Sequence, residues 1–348
     1  MTAREQAVAP AGPALPAAIG RVRTLVEPEL RAAVAGLDDE LMRRIASYQL
    51  GWCDADGNPT DAGGKAVRPT LVVLAAEAVG GAAAVGLPGA VAVELVHNFS
   101  LLHDDIMDRD VERRHRPTGW VAFGEGQALL AGNAMLTAAV EVVSRRSAHA
   151  ERALPSLLDT VQLLISGQSA DLALEQRPDA TLDDVLEMEN GKTAALIAGA
   201  LSLGAIAAGG DEATVARLHE VGRLVGLAFQ LVDDLLGIIG DPGVTGKSAS
   251  SDVRAGKRSV PVVAALRSGT AAGDQLAEFL RPGPPETDDA VARAVELIEA
   301  AGGVRWADEH ARQLLEQALD QLAGVGLPHR QAVAELEEMA RFLVHRAW

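Results

Sequence analysis

A chain of 348 residues, 48% of them hydrophobic, is long enough to bury one large core or two ordinary ones. Its 31 Lys and Arg against 48 Asp and Glu give a net charge of −17, which argues against a nucleic-acid backbone as partner. Aromatics are only 3%, so Ala, Leu and Val carry the apolar content and favour helices, while the single Cys53 excludes a disulfide framework and fits a reducing, cytoplasmic compartment.

Residues 1–17, with several Ala and Pro, read as a disordered tail and not as a signal peptide, which leaves 18–348 as one domain. Ile19–Val34 has a helical pattern interrupted near Pro28, and Leu37–Leu50 is amphipathic. A polar turn from Asp54 to Gly64 leads into Gly63-Gly64-Lys65-Ala66-Val67-Arg68-Pro69. Leu71–Val79 follows and then, after a Pro88-Gly89 break, Ala90–Asp108. Further helical stretches are Gly126–Ser144, Leu154–Leu174, Leu182–Ala208 and Glu212–Ile239. After a Gly-rich loop, Gly240–Gly256, helices resume at Val260–Leu266, Asp289–Ala301, Val304–Leu322 and His329–His345. Strand alternation, a fixed-period repeat and a nucleotide-binding glycine motif are all missing. Thr193–Gly210 runs 18 residues without a charge, but it is mainly Ala and Gly and reads as a buried core helix rather than a membrane span. The expectation is a soluble, all-α, single-domain helical bundle around a deep central apolar cavity.

Ala90–Asp108 closes on Leu101-Leu102-His103-Asp104-Asp105-Ile106-Met107-Asp108. On a helix, Asp104 and Asp108 stack on one face with Asp105 beside them, and three carboxylates so close repel unless cations lie between. Hard oxygen ligands suit Mg²⁺, which shares its remaining positions with water and substrate phosphate. A solvated acidic helix end has the same spacing. A second pair, Asp233-Asp234, closes the apolar run that begins at Phe229-Gln230. Two such helices suggest carboxylates facing across a cavity mouth, with Mg²⁺ and a diphosphate between them.

The cations lie near these clusters. Lys65 and Arg68 precede the first, Arg113-Arg114 follow it, and Lys192-Thr193, Lys247 and Lys257 flank the second. Singly each reads as a surface charge; as a set in an acidic chain they look like two anion sites. His97, seven residues before Asp104, is nearly in phase with it about 10 Å deeper, as a ligand or as a hydrogen-bonded core histidine. His103 and His115 read as structural or surface residues. No Ser/His/Asp or Cys/His arrangement points to a protein nucleophile.

The ordered series GGKxxRP, ELxHxxSLxHDDxxDxxxxRR, Gly167-Gln168, Lys192-Thr193, FQxxDD and GK followed by KRSVP runs from about Gly63 to Pro261. It resembles the trans-isoprenyl diphosphate synthases of the polyprenyl synthetase family, farnesyl and geranylgeranyl diphosphate synthases among them. The resemblance implies the isoprenoid synthase type I fold, a homodimer, and condensation of isopentenyl diphosphate with dimethylallyl, geranyl or farnesyl diphosphate. It implies that Asp104, Asp105, Asp108, Asp233 and Asp234 hold three Mg²⁺ on the allylic diphosphate. Arg113, Lys192 and Lys257 would contact that diphosphate, with Lys247 joining them. Lys65, Arg68, His97 and Arg114 would hold isopentenyl diphosphate, and Thr193 and Gln230 would line the region between.

The chain departs from that pattern in three places. Gly237 stands where the family has a third aspartate, and Asp241 lies past the expected helix end. Ala66 replaces a usually basic residue, and Asn133 stands where the family commonly has Asp after Gly. Phe99, five residues before Asp104, with small Ser100 beside it, resembles the pattern of C20 producers, so geranylgeranyl diphosphate is favoured over farnesyl or longer products; core packing is the other reading of Phe99. A class I terpene cyclase would leave Lys65, Arg68 and Arg114 idle and lacks its NDxxSxxxE motif here. A non-catalytic subunit fits poorly with an intact first aspartate motif.

Overall fold

Val22, Val26, Leu30 and Val34 recur at helical spacing, and in the computed structural model of the chain, which describes residues 15–174, 177, 179–240 and 250–345, they seat helix α1 (Ala17–Ala35) on the core. Pro28 does not interrupt it. Buried anchors on both sides of the proline outweigh the one backbone hydrogen bond it removes. Helix α2 (Glu40–Gln49) starts where the Asp39 carboxylate accepts from the Met42 N–H at 3.0 Å. Helices α3 (Val67–Val79) and α4 (Ala83–Met107) follow, and α4 likewise runs through its expected break, with Pro88 inside it.

A two-stranded hairpin, Glu112–Arg113 with Arg116–Pro117, and a short α5 (Gly119–Phe123) connect α4 to α6 (Glu125–Arg146) and α7 (Ala150–Leu174). The stretch read as one helix from Leu182 is α8 (Leu182–Glu189) and α9 (Ala195–Ala207), joined by a π turn at Asn190–Ala194. The long α10 (Glu212–Ile239) ends before Asp241, which lies outside the described residues. Then come α11 (Ser251–Arg254), α12 (Val260–Leu266), α13 (Ala271–Leu280), α14 (Asp288–Ala300), α15 (Gly303–Gly324) and α16 (Arg330–Val344). Helix α13 was not legible in the sequence, because Gly269, Gly273 and a Pro-Gly-Pro-Pro run hide its pattern; Thr270 starts it by accepting from the Gly273 N–H at 3.1 Å.

The all-α architecture is as the sequence implies. Helices α3, α4, α9 and α10 form the inner layer, with the others packed around them. Every residue of α9 is buried, which settles the uncharged stretch as a core helix. Helices α4 and α6 also pass a length-and-composition test for crossing a membrane, but 78% of the α4 window is buried inside the fold. The inner helices approach closely where side chains are absent: a Cβ on Gly204 of α9 would overlap the Val72 carbonyl oxygen of α3. We predict that Gly204→Ala lowers stability by about 1–3 kcal/mol, read from the denaturant midpoint; an unchanged midpoint would mean that this contact does not set the spacing of the two helices.

Candidate active site

Helices α4 and α10 bring their C-terminal ends to one cleft of about 1610 Å³, its open mouth included. Asp104 and Asp108 of α4 and Asp233 of α10 line it, together with Lys192, Thr193, Gln230 and Lys257. Arg68, His97, Ser100, Arg113 and Arg114 line it as well, so most of the residues singled out in the sequence meet in one place. His97 and Asp104 share a face, as their spacing predicts. Asp105, Asp234, Lys65 and Phe99 are not in that lining, and Lys247 lies outside the described residues.

The carboxylates are under electrostatic stress. Three aspartates crowd the last turn of α4, which carries no basic residue, and the negative end of the helix dipole adds to their repulsion. Burial, with Asp108 and Asp105 nearby, pushes the Asp104 carboxyl from 3.8 up to about 6. Burial also raises Asp108, against the pull of Lys192 and Lys257. Burial by itself would lower the Lys192 ammonium, yet the carboxylates of Asp171, Asp104 and Asp108 hold it above its ordinary value. Lys192 donates to Asp171, a partner that sequence reading missed although it stands four residues after Gly167. Among the described residues no three such side chains lie close enough to cage a metal by themselves. Asp104, Asp108 and Asp233 offer hard carboxylate oxygens to the cleft, and Mg²⁺ is usually held by one or two carboxylates plus substrate phosphate and water.

Two aspartates expected at the metal sit behind the lining. Asp105 is 1% exposed, and its Oδ1 accepts from Arg113 Nε and Nη2, each at 2.7 Å. Its Oδ1 is engaged in aiming that arginine, its Oδ2 is buried without a hydrogen-bond partner, and the side chain is absent from the lining of the cleft. Asp234 accepts from Gln230 Nε2 at 2.8 Å and from the Val260 N–H at 2.9 Å, while Thr193 donates to Gln230 Oε1 at 2.8 Å. Burial raises the Asp234 carboxyl, and the two hydrogen bonds oppose that rise. Its place is to tie α10 to the start of α12 and to fix the Gln230 amide.

The other half of the cleft is cationic. In the hairpin turn, Arg114 and His115 both adopt positive φ, 53° and 59°, at about 1–2 kcal/mol for each non-glycine residue. The turn sends neighbouring arginines to different places, Arg113 to Asp105 and Arg114 to the Gly63-Gly64 loop, where a Cβ on Gly64 would lie 3.5 Å from Arg114 Nη1. Arg68 Nη1 lies 3.2 Å from His97 Nε2. Since arginine only donates, this assigns the His97 proton to Nδ1. Burial and then Arg68, Arg114 and Arg113 hold His97 well below its ordinary value, so the ring is neutral. Glu94, one α4 turn before it, was missed although it stands in the same motif; burial raises its carboxyl, against Arg68 and Arg114.

Two glycines shape the rear wall. A Cβ on Gly167 would overlap the Lys192 backbone nitrogen, so only glycine lets α7 touch the π turn that presents Lys192 and Thr193. A Cβ on Gly237 would overlap the Asp252 carboxylate. The space a third aspartate would need is therefore filled by a carboxylate from α11.

An all-α bundle with opposed carboxylates and two groups of cations in one deep cleft has the layout of an enzyme that handles diphosphates with a metal. The chain belongs to the polyprenyl synthetase family, whose family model matches residues 57–298. It is therefore a prenyl-transferring enzyme of a family that generally depends on Mg²⁺. It is 47% identical over 333 residues to a (2E,6E)-farnesyl diphosphate synthase of Mycobacterium tuberculosis, covering 94% of this chain and 92% of that one. A geranylgeranyl diphosphate synthase of the same organism is 43% identical over 307 residues, 87% of each chain. The crystal structure of a polyprenyl synthetase from Streptomyces coelicolor A3(2) superposes with a TM-score of 0.89 at 47% identity, over 94% of this chain and 99% of the other.

The Asp104 shift has a measurable consequence. Its folded carboxyl titrates near 6 against an ordinary 3.8, so the folded state holds the proton more tightly. The ionised group's burden on stability is absent below about pH 4 and complete above about pH 6. In metal-free protein, Asp104→Asn should therefore gain stability at pH 8, on the order of 2 kcal/mol, with the gain fading towards pH 4. A gain that does not change with pH in thermal melts would contradict this.

Proposed function

We propose that the enzyme condenses isopentenyl diphosphate with an allylic diphosphate (dimethylallyl, geranyl or farnesyl), releasing pyrophosphate and a trans-polyprenyl diphosphate, most favourably the C20 geranylgeranyl product. The observation that carries this reading is the meeting of Asp104 and Asp108 with Asp233 across one cleft that also holds two sets of cations.

Mg²⁺, three ions by family resemblance, would neutralise the departing pyrophosphate when bound by Asp104, Asp108 and Asp233. Arg113, held by Asp105, and Lys192, held by Asp171, stand beside the same headgroup, with Lys257 at the rim and Lys247 as a further candidate. These fixed charges stabilise the leaving group as the allylic C–O bond breaks, without reorganising at that moment. Lys65, Arg68, His97 and Arg114 hold isopentenyl diphosphate, whose double bond then attacks the allylic cation. Thr193 and Gln230 line the space between. The apolar lower walls, Leu164 and Leu196 among them, keep water from quenching the cation. Asp105 and Asp234 act by orienting Arg113 and Gln230.

Product length rests on the floor of the cleft. Small Ser100 lines it, whereas Phe99, 6% exposed, packs edge-on against His103 at 4.9 Å behind the wall. An open floor at Ser100 favours C20. The 47% identity to a farnesyl diphosphate synthase favours C15 as the second reading. Exposed Leu129 and Leu130 of α6 and Leu158, Leu163 and Ile165 of α7 support a homodimer built on those helices, in a soluble, cytoplasmic enzyme.

The test is a product assay with each allylic primer, isopentenyl diphosphate and Mg²⁺. Elongation should occur, and Asp104→Ala should abolish it; near-normal turnover in that variant would refute the metal assignment. Ser100→Phe should shift products towards C15, while Phe99→Ala, which removes a ring packed behind the wall, should change them less. Should Ser100→Phe leave the distribution the same, that position of α4 is not the ruler.

A further inference from the structure

His115 has no role in the reading above. It stands at the second central position of a two-residue hairpin turn between Arg113 and Arg116, at φ 59°. Turns with positive φ at both central positions favour Asn-Gly, and glycine there would be relaxed. The ring is not accounted for by packing: its side chain is 77% exposed, and its Nδ1 has only a loose approach of 3.8 Å to Glu112. It does line the cleft, next in sequence to Arg114, and Arg68 and His97 belong to the same lining.

That half of the cleft is also one cation short. The loop that passes beneath Arg114 carries Ala66 where the family commonly has a basic side chain, and Ala66 too is at positive φ, 53°. A bulky donor is thus kept in a strained position on the side of the site that has lost one. Strained residues of this kind persist mainly where function holds them.

We propose that His115 is a further substrate-binding residue, donating from its ring to the diphosphate of the homoallylic substrate and taking over the contact that Ala66 cannot make. The inference rests on the reading that Lys65, Arg68, His97 and Arg114 hold isopentenyl diphosphate. Arg114, its neighbour in the turn and in the same lining, would bring that diphosphate near the ring, while Glu112 lies 3.8 Å from its Nδ1.

Steady-state kinetics of the full chain with isopentenyl diphosphate as the varied substrate test this. His115→Gly, which relaxes the turn, should raise KM for isopentenyl diphosphate about tenfold while KM for the allylic primer holds and kcat changes by less than about twofold. His115→Asn tolerates positive φ and keeps a donor, so it should show a smaller rise. Adding Ala66→Arg to the glycine variant should bring KM back down; both residues are L-amino acids in the same backbone conformation, so the exchange adds no turn strain. An unchanged KM in His115→Gly overturns the assignment, as does an equal rise for both substrates. The two readings fail differently: wild-type protein that elongates nothing overturns the functional proposal, whereas elongation by wild type with the glycine variant indistinguishable from it overturns only the role of His115.

Discussion

Repulsion among desolvated carboxylates governs this molecule's active end. Asp104 and Asp108 sit at the negative end of α4, and Asp233 faces them from α10. Burial lifts the carboxyls of Asp104 and Asp108, which means that the folded protein holds charge it would rather neutralise. Lys192 compensates part of it. On the proposed function, the remainder would make the cleft receptive to divalent cations and, through them, to a diphosphate, so that stability given up here would be returned as binding.

The polar side chains of the cleft are aimed rather than merely present. Arg113 is gripped by Asp105, Lys192 by Asp171, and Gln230 by Thr193 and Asp234. Each pairing takes a flexible side chain and fixes it before substrate arrives, which is the condition for electrostatic stabilisation without reorganisation. The hairpin does the same for two neighbouring arginines at the expense of two strained backbone positions. Glycines at 167 and 237 perform the complementary task, since they admit the π turn and the Asp252 carboxylate where any side chain would exclude them.

Most of the fold was legible because hydrophobic periodicity is strong where helices are long, as in α4, α9 and α10. It failed where glycine and proline hid a capped helix, as at α13, and where a proline promised a break that buried neighbours overrode, as at Pro28 and Pro88. The spacing of Asp104 and Asp108 put them on one helical face, and both line the cleft; Asp233, on another helix, and Lys192, in the π turn, took their roles from the family resemblance and line the same cleft. The separate fates of Asp105 and Asp234 could not be read from spacing. Adjacent residues on a helix point about 100° apart, and only the tertiary partners, Arg113 and Val260, decide which of each pair looks into the cleft. Asp171, Glu94 and Asp252 were missed for the same reason, being charges whose meaning lies in what they touch.

The most direct measurement is the affinity of an unreactive allylic thiolodiphosphate, determined calorimetrically with Mg²⁺ and with a chelator, across wild type, Asp104→Asn, Asp233→Asn and the double variant. If the two helices share one bridged headgroup, Mg²⁺ tightens binding to wild type by about a hundredfold, and the second substitution removes little that the first has not already removed. Equal affinity with and without the metal, or losses that simply add, would contradict that account.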